Sequence, residues 1–163
     1  MNLRSNWKQV KLAFEAGIKS SLHCAIATVD AHGNPHVTPI GFIFLRDDLS
    51  AFYFEEYTHK LPQNIQVNPR VCLLTINSSG LFWLASLFKG RFASSPGIRL
   101  FGVAGERRLA TEHEKAAYRD RVKSARRLKG YDLIWKDLNH VREIKLDSFE
   151  PVVYPKMTEH LWT

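Results

Sequence analysis

Phe52-Tyr53-Phe54-Glu55-Glu56-Tyr57-Thr58-His59-Lys60-Leu61-Pro62-Gln63-Asn64-Ile65-Gln66-Val67-Asn68-Pro69-Arg70-Val71 carries the local signals that decide how the chain is put together. An aromatic run suited to a strand arrives, and a hydroxyl, an imidazole and an ammonium follow in adjacent positions. A short helix then runs to Asn68-Pro69, and an apolar strand leaves. A strand-to-helix junction offers free backbone N–H groups and the positive end of a helix dipole, so Thr58, His59 and Lys60 form a candidate anion cradle. The same residues also read as an ordinary polar turn capped by Thr58. The flanking sequence has to separate the two readings.

Upstream, Ser5 can cap a helix over 6–16, with Leu3, Trp7, Val10 and Phe14 as its apolar stripe and Gly17 as its stop. Residues 24–29 read as a buried strand, and 30–35 carry the turn residues of a hairpin. The return strand over 36–45 contains Pro39 and Gly41, which suit an edge or a face kept open for a ligand. A second turn at 46–50 leads to a third strand, 51–55.

Downstream, 71–76 is a fourth strand and 98–109 a fifth, with Gly102 and Gly105 as bend points. Between them, Leu81 to Phe88 is strongly apolar but too short to assign, either a hairpin extension or an interface segment. Thr111 and Glu114 form a capping box that opens a helix expected to reach about Lys129. Its basic run (Arg119, Arg121, Lys123, Arg126, Arg127, Lys129) reads as a solvated surface. A short helix over 131–138, a sixth strand over 141–149 and a terminal arm over 151–163 complete the order. Hairpin connections between the strands predict a mainly β fold, a six-stranded antiparallel barrel with flanking helices.

The totals are consistent with this. At 163 residues, 45% of them apolar, the chain suits a single folded domain over 1–163. No apolar run reaches the ~18 residues of a membrane span. Residues 1–10 show no secretory leader, so the cytoplasm is the expected compartment. Cys24 and Cys72 sit in apolar strands and suit buried free thiols, and the seven histidines show no ligand spacing, so no metal site is expected. The formal charge of +7 implies an anionic partner, either a phosphorylated cofactor, nucleic acid or an acidic membrane surface.

Two segments resemble the pyridoxamine 5′-phosphate oxidase-like family of FMN-binding split barrels: 33–42, and 52–71 with its Thr58-His59-Lys60 triplet and its Asn68-Pro69-Arg70 helix end. The resemblance covers most of residues 20–150 in element order. It implies that Thr58, His59 and Lys60 hold the FMN phosphate. Tyr53 and Phe54 would border the cofactor, Thr38, Pro39 and Ile40 would line its ring or ribityl chain, and Asn64 on the short helix joins the set. It also implies a homodimer with flavin at the interface, and a small-molecule substrate or electron donor.

His59 stands where the family often has arginine. Thr38 falls where the vitamin-processing members have arginine, and Leu100 where they tend to have a polar residue. Their C-terminal Arg/His motif is not found in 150–163, so the resemblance is to the family and not to the oxidase itself. The apolar insertion at 80–97 is the expected substitute for that substrate wall, with Trp83 or Arg91 reaching a site. The expected function is flavin-dependent oxidoreduction, with no catalytic residue nominated. The alternatives are a non-catalytic flavin-binding or flavin-sensing protein, a deazaflavin- or haem-using relative, and last a nucleic-acid binder. No membrane partner is expected.

Overall fold

The computed structural model describes residues 1–135 and 137–162. The opening helix, α1 (Leu3–Ser21), is longer at both ends than the expected 6–16. Asn2 is the cap, its Oδ1 accepting from the Ser5 backbone N–H at 3.2 Å, so Ser5 lies inside the first turn. Gly17 does not end the helix. A Cβ there would lie 2.5 Å from the Thr75 Cβ, so this glycine lets α1 lie directly against the sheet. The helix stops at Leu22, which takes the left-handed conformation at φ 62.

Seven strands follow in one antiparallel sheet: β1 (Cys24–Val29), β2 (Pro35–Ile40), β3 (Ile43–Leu45), β4 (Ser50–Phe54), β5 (Arg70–Ile76), β6 (Gly97–Leu109) and β7 (His140–Pro151). The expected return strand is two strands, because the chain breaks at Gly41-Phe42; the count is therefore seven, not six. The spatial order is β2-β1-β5-β6-β7-β4-β3. The two edges of the sheet are thus joined through Gly41 and Phe42 alone. Three trans peptide steps span at most ~11 Å, so the sheet must curl until its edges meet at that corner. This is a split barrel, mainly β with flanking helices.

Alternate residues of β1 and β5 turn into the curl, where Ile26 and Leu73 meet Leu100 and Ile144. Trp7, Val10 and Phe14 of α1 pack onto the same core. β6 bends at Gly102, where a Cβ would lie 2.4 Å from the Lys145 carbonyl oxygen.

The remaining helices are α2 (Lys60–Val67), α3 (Gly80–Lys89), α4 (Glu112–Arg121) and α5 (Gly130–Trp135). The apolar insertion is therefore helical over α3, capped by Ser79 and closed by Gly90 at φ 63. The capping box of Thr111 and Glu114 forms as its spacing predicts. Its helix ends at Arg121, short of Lys129, and continues as a 3-10 turn over Lys123–Ala125 before α5. Cys24 is buried and Cys72 half-buried, both free thiols, and burial pushes Cys24 up to about 12.

Candidate functional site

The break between β2 and β3 opens one wall of a cavity of about 810 Å³. Pro39, Ile40, Gly41 and Phe42 supply that corner. Phe54, Tyr57 and Thr58 come from the exit of β4, and Glu15, Ile18 and Lys19 from the last turns of α1. Tyr118, Arg121, Ile134 and Trp135 roof it from the helical segment before β7. A Cβ at Gly41 would meet no atom within 4 Å, so the rim beside it is open. The volume lies within the range of small-ligand and cofactor sites.

The exit of β4 is held by two glutamates that reach β7. Glu55, buried, accepts from Arg142 through Nε and Nη2, both at 2.7 Å, and from the Tyr53 hydroxyl at 2.6 Å. Arg142 also donates to the Gly105 carbonyl at 2.6 Å. Glu56 accepts from the Asn139 and His140 backbone N–H groups at 2.8 and 2.7 Å, which holds its carboxyl below the usual range despite partial burial. The chain therefore leaves β4 on a fixed path and delivers Thr58 to the cavity.

Thr58 Oγ1 is buried and has no hydrogen-bond partner among the described residues. It precedes His59, the cap position of α2, which makes no side-chain capping hydrogen bond. Thr58 is part of the cavity wall, and because buried hydroxyls are normally paired, this orphan one before an uncapped helix start is a candidate donor. His59 and Lys60 are exposed at the same turn, beside the cavity rather than in its wall. The Lys60 charge contributes in a minor way to holding Asp30 down at about 2, behind the Asn34 hydrogen bonds that dominate.

Of the residues expected from sequence, Pro39, Ile40, Phe54 and Thr58 are brought together on the cavity wall. Tyr53 is fully buried in the core with its hydroxyl on Glu55, which keeps the phenol protonated well above its ordinary range, desolvation being the main cause. Asn64 is buried and donates to Thr28 Oγ1 at 3.0 Å, tying α2 to β1. Thr38 Oγ1 lies 3.3 Å from His36 Nδ1, away from the cavity. Leu100 is wholly in the core, Trp83 donates to the Asn77 carbonyl at 2.6 Å, and neither Trp83 nor Arg91 lines the cavity.

The roof was not legible as a site. Tyr118 packs edge-on or tilted against Phe42, Phe44 and Phe54, with centroids 5.7, 6.4 and 4.8 Å away. Burial raises its phenol well above its ordinary range. The Arg121 guanidinium sits 5.8 and 5.3 Å from the Phe42 and Phe44 ring centroids. Tyr118, Arg121, Val122 and Ala125 recur at steps of three and four, and this stripe was the available signal. The surrounding cationic residues obscured it. The site thus combines aromatic and aliphatic walls with a cation on one side and an unpaired hydroxyl at a helix start, a donor set for a flat ligand with an anionic end.

Residues 10–145 match the protein family described as pyridoxamine 5′-phosphate oxidase. The chain belongs to this family of split-barrel proteins. Among solved structures it is similar to an FMN-binding protein from Syntrophomonas wolfei subsp. wolfei (TM-score 0.60, 14% identity, covering 92% of this chain and 90% of that one). It is also similar to HutZ, the heme storage protein from Vibrio cholerae (TM-score 0.54, 16% identity, 93% and 95%). A third similar structure is a protein named F420 reductase (TM-score 0.52, 14% identity, 84% and 95%). At these identities the likeness shows the fold. No curated protein is a significant match to the chain.

Proposed function

We propose that the chain is a cytoplasmic, homodimeric FMN-binding flavoprotein that catalyses flavin-dependent oxidoreduction of a small molecule. The observation that carries this reading is the buried, unpartnered hydroxyl of Thr58, a cavity-wall residue two positions before Lys60 at the start of α2. In this reading Thr58 donates to the cofactor phosphate, Lys60 supplies charge, and the His59 imidazole offers a further N–H at the same turn. Pro39, Ile40 and Phe54 form the apolar wall for the ring. Bound FMN supplies the hydride and electron chemistry, and the protein binds, orients and shields it.

The similar structures include an FMN-binding protein, a protein named F420 reductase and a heme storage protein. Haem iron needs an axial His, Cys, Met or Tyr. The described cavity lining contains no His, Cys or Met; of its two tyrosines, Tyr57 donates its hydroxyl to the Ile134 carbonyl at 2.9 Å, and burial keeps the Tyr118 phenol protonated, against the phenolate an iron would need. FMN is therefore favoured over haem. The test is direct: purified protein should be yellow and release FMN on denaturation. Thr58→Val and Lys60→Ala should each weaken FMN binding by about 1.5–3 kcal/mol, the range for a hydrogen bond to a charged group, or roughly 10- to 150-fold. A colourless protein that takes up no added FMN refutes the proposal. Sedimentation equilibrium checks the dimer.

A further inference from the structure

Helix α3 stands apart from the cavity and exposes what most helices bury. Leu81, Leu84, Leu87 and Phe88 are 81, 65, 66 and 92% exposed. At 100° per residue they share an arc of roughly 120°, the width of a core-facing stripe. The opposite face is already used: Phe82 and Trp83 pack on Phe92, with centroids 5.5 and 5.2 Å apart, Trp83 packs on Tyr154, and Ser86 is buried. The stripe therefore cannot turn inward without undoing that contact.

Charge identifies what covers it. From Glu56 to Glu106 the chain contains no acidic residue, while Lys60, Arg70, Lys89, Arg91 and Arg99 fall within that interval. Arg70 pairs with Asp147, and Arg99 lies opposite Glu150 in the sheet register. Lys89 and Arg91, at the end of the stripe, make no ion pair among the described residues. The tail packed behind α3 adds Lys156 and Glu159, which cancel.

A twofold contact through α3 would leave Lys89 and Arg91 against a helix that carries no acidic residue to pair with them. Its patch of a few hundred Å² also falls short of the ~800 Å² per partner of a standard interface. An anionic lipid surface answers both features, taking the Leu and Phe tips at the headgroup boundary and the cations at the phosphates. Among the described residues no helix is long and apolar enough to cross a membrane. We infer that α3 docks the protein peripherally on anionic lipid bilayers, a partner that the net charge allows and that was not expected from the sequence.

The test is co-sedimentation of the full chain with vesicles of phosphatidylcholine, with and without phosphatidylglycerol. Binding is expected only to the anionic vesicles, falling as salt is raised. Leu84→Ser/Phe88→Ser and Lys89→Glu/Arg91→Glu should each weaken it at least about tenfold. These side chains are exposed, so thermal melting should match the wild type. Failure of the wild type to sediment, or variants that bind as it does, overturns the inference. So does a drop in oligomeric mass of the Leu84→Ser/Phe88→Ser protein by sedimentation velocity, which would make α3 a self-association surface.

Discussion

Replacing Arg142 by methionine should damage both the fold and the site, and the structure gives the size of the effect. Arg142 is 6% exposed and Glu55 2%, so the pair is out of water. Methionine removes both 2.7 Å contacts to the Glu55 carboxylate and leaves that group with the Tyr53 hydroxyl alone. Breaking one side of a buried pair costs about 3–5 kcal/mol. For a chain of this size that corresponds to a fall in Tm of roughly 6–20 °C. Urea unfolding followed by tryptophan fluorescence at neutral pH should show this deficit. Arg142→Met/Glu55→Gln, with no charge left, should recover part of the loss. FMN affinity should also fall in the single variant, because Glu55 fixes the exit of β4 three residues before Thr58. A loss below ~1 kcal/mol, or a double variant as costly as the single one, would refute the reasoning.

Two further perturbations follow from other parts of the frame. Glu114 accepts from Arg108 at 2.7 and 3.0 Å, from the Thr111 backbone N–H at 2.8 Å and from Arg46, and the Arg108 contact foremost holds its carboxyl down at about 2. With the folded value depressed, its stabilisation is complete above the ordinary 4.5 and is lost as pH falls from there toward about 2. Glu114→Gln should cost on the order of 3 kcal/mol at pH 7, and its unfolding curve should converge with the wild type's near pH 2. Gly17→Val should push α1 off β5, since even a Cβ lies 2.5 Å from that of Thr75; about 1–3 kcal/mol is expected in the same urea assay.

The sequence carried the frame further than the site. Strand positions, the capping box and the hairpins are written in local chemistry, and they survive into the structure with ends shifted by a few residues. What failed needed partners distant in sequence. Gly17 resembles a helix stop, and only its contact with Thr75 shows that it is a packing glycine. The break at Gly41 follows from β2 and β3 joining opposite edges, which no local pattern states. Tyr53 and Phe54 are adjacent on one strand, so their side chains leave on opposite faces. One enters the core and the other the cavity, and composition cannot say which. Asn64 was legible as polar on a short helix, but its Thr28 partner is 36 residues away.

The cavity owes its position to the same break that hid it. A fully closed barrel would pair β2 with β3 and leave no slot. Here the two edges meet only at the Gly41-Phe42 corner, and the space beside it is bounded by the end of α1 and the exit of β4. That exit ends in a hydroxyl with no partner, and the roof segment carries Tyr118 and Arg121 over the gap through the aromatic rings of Phe42 and Phe44. The proposed binding mode therefore has three dependencies that can be separated: Arg142 for the path of the chain, Thr58 for the anionic end of the ligand, and the roof for its flat part. Substitution of Arg142 should lower stability and affinity together, whereas Thr58→Val should lower affinity alone. That division would assign the orphan hydroxyl to a ligand rather than to the fold, and a loss of stability in Thr58→Val equal to its loss of affinity would assign it to the fold.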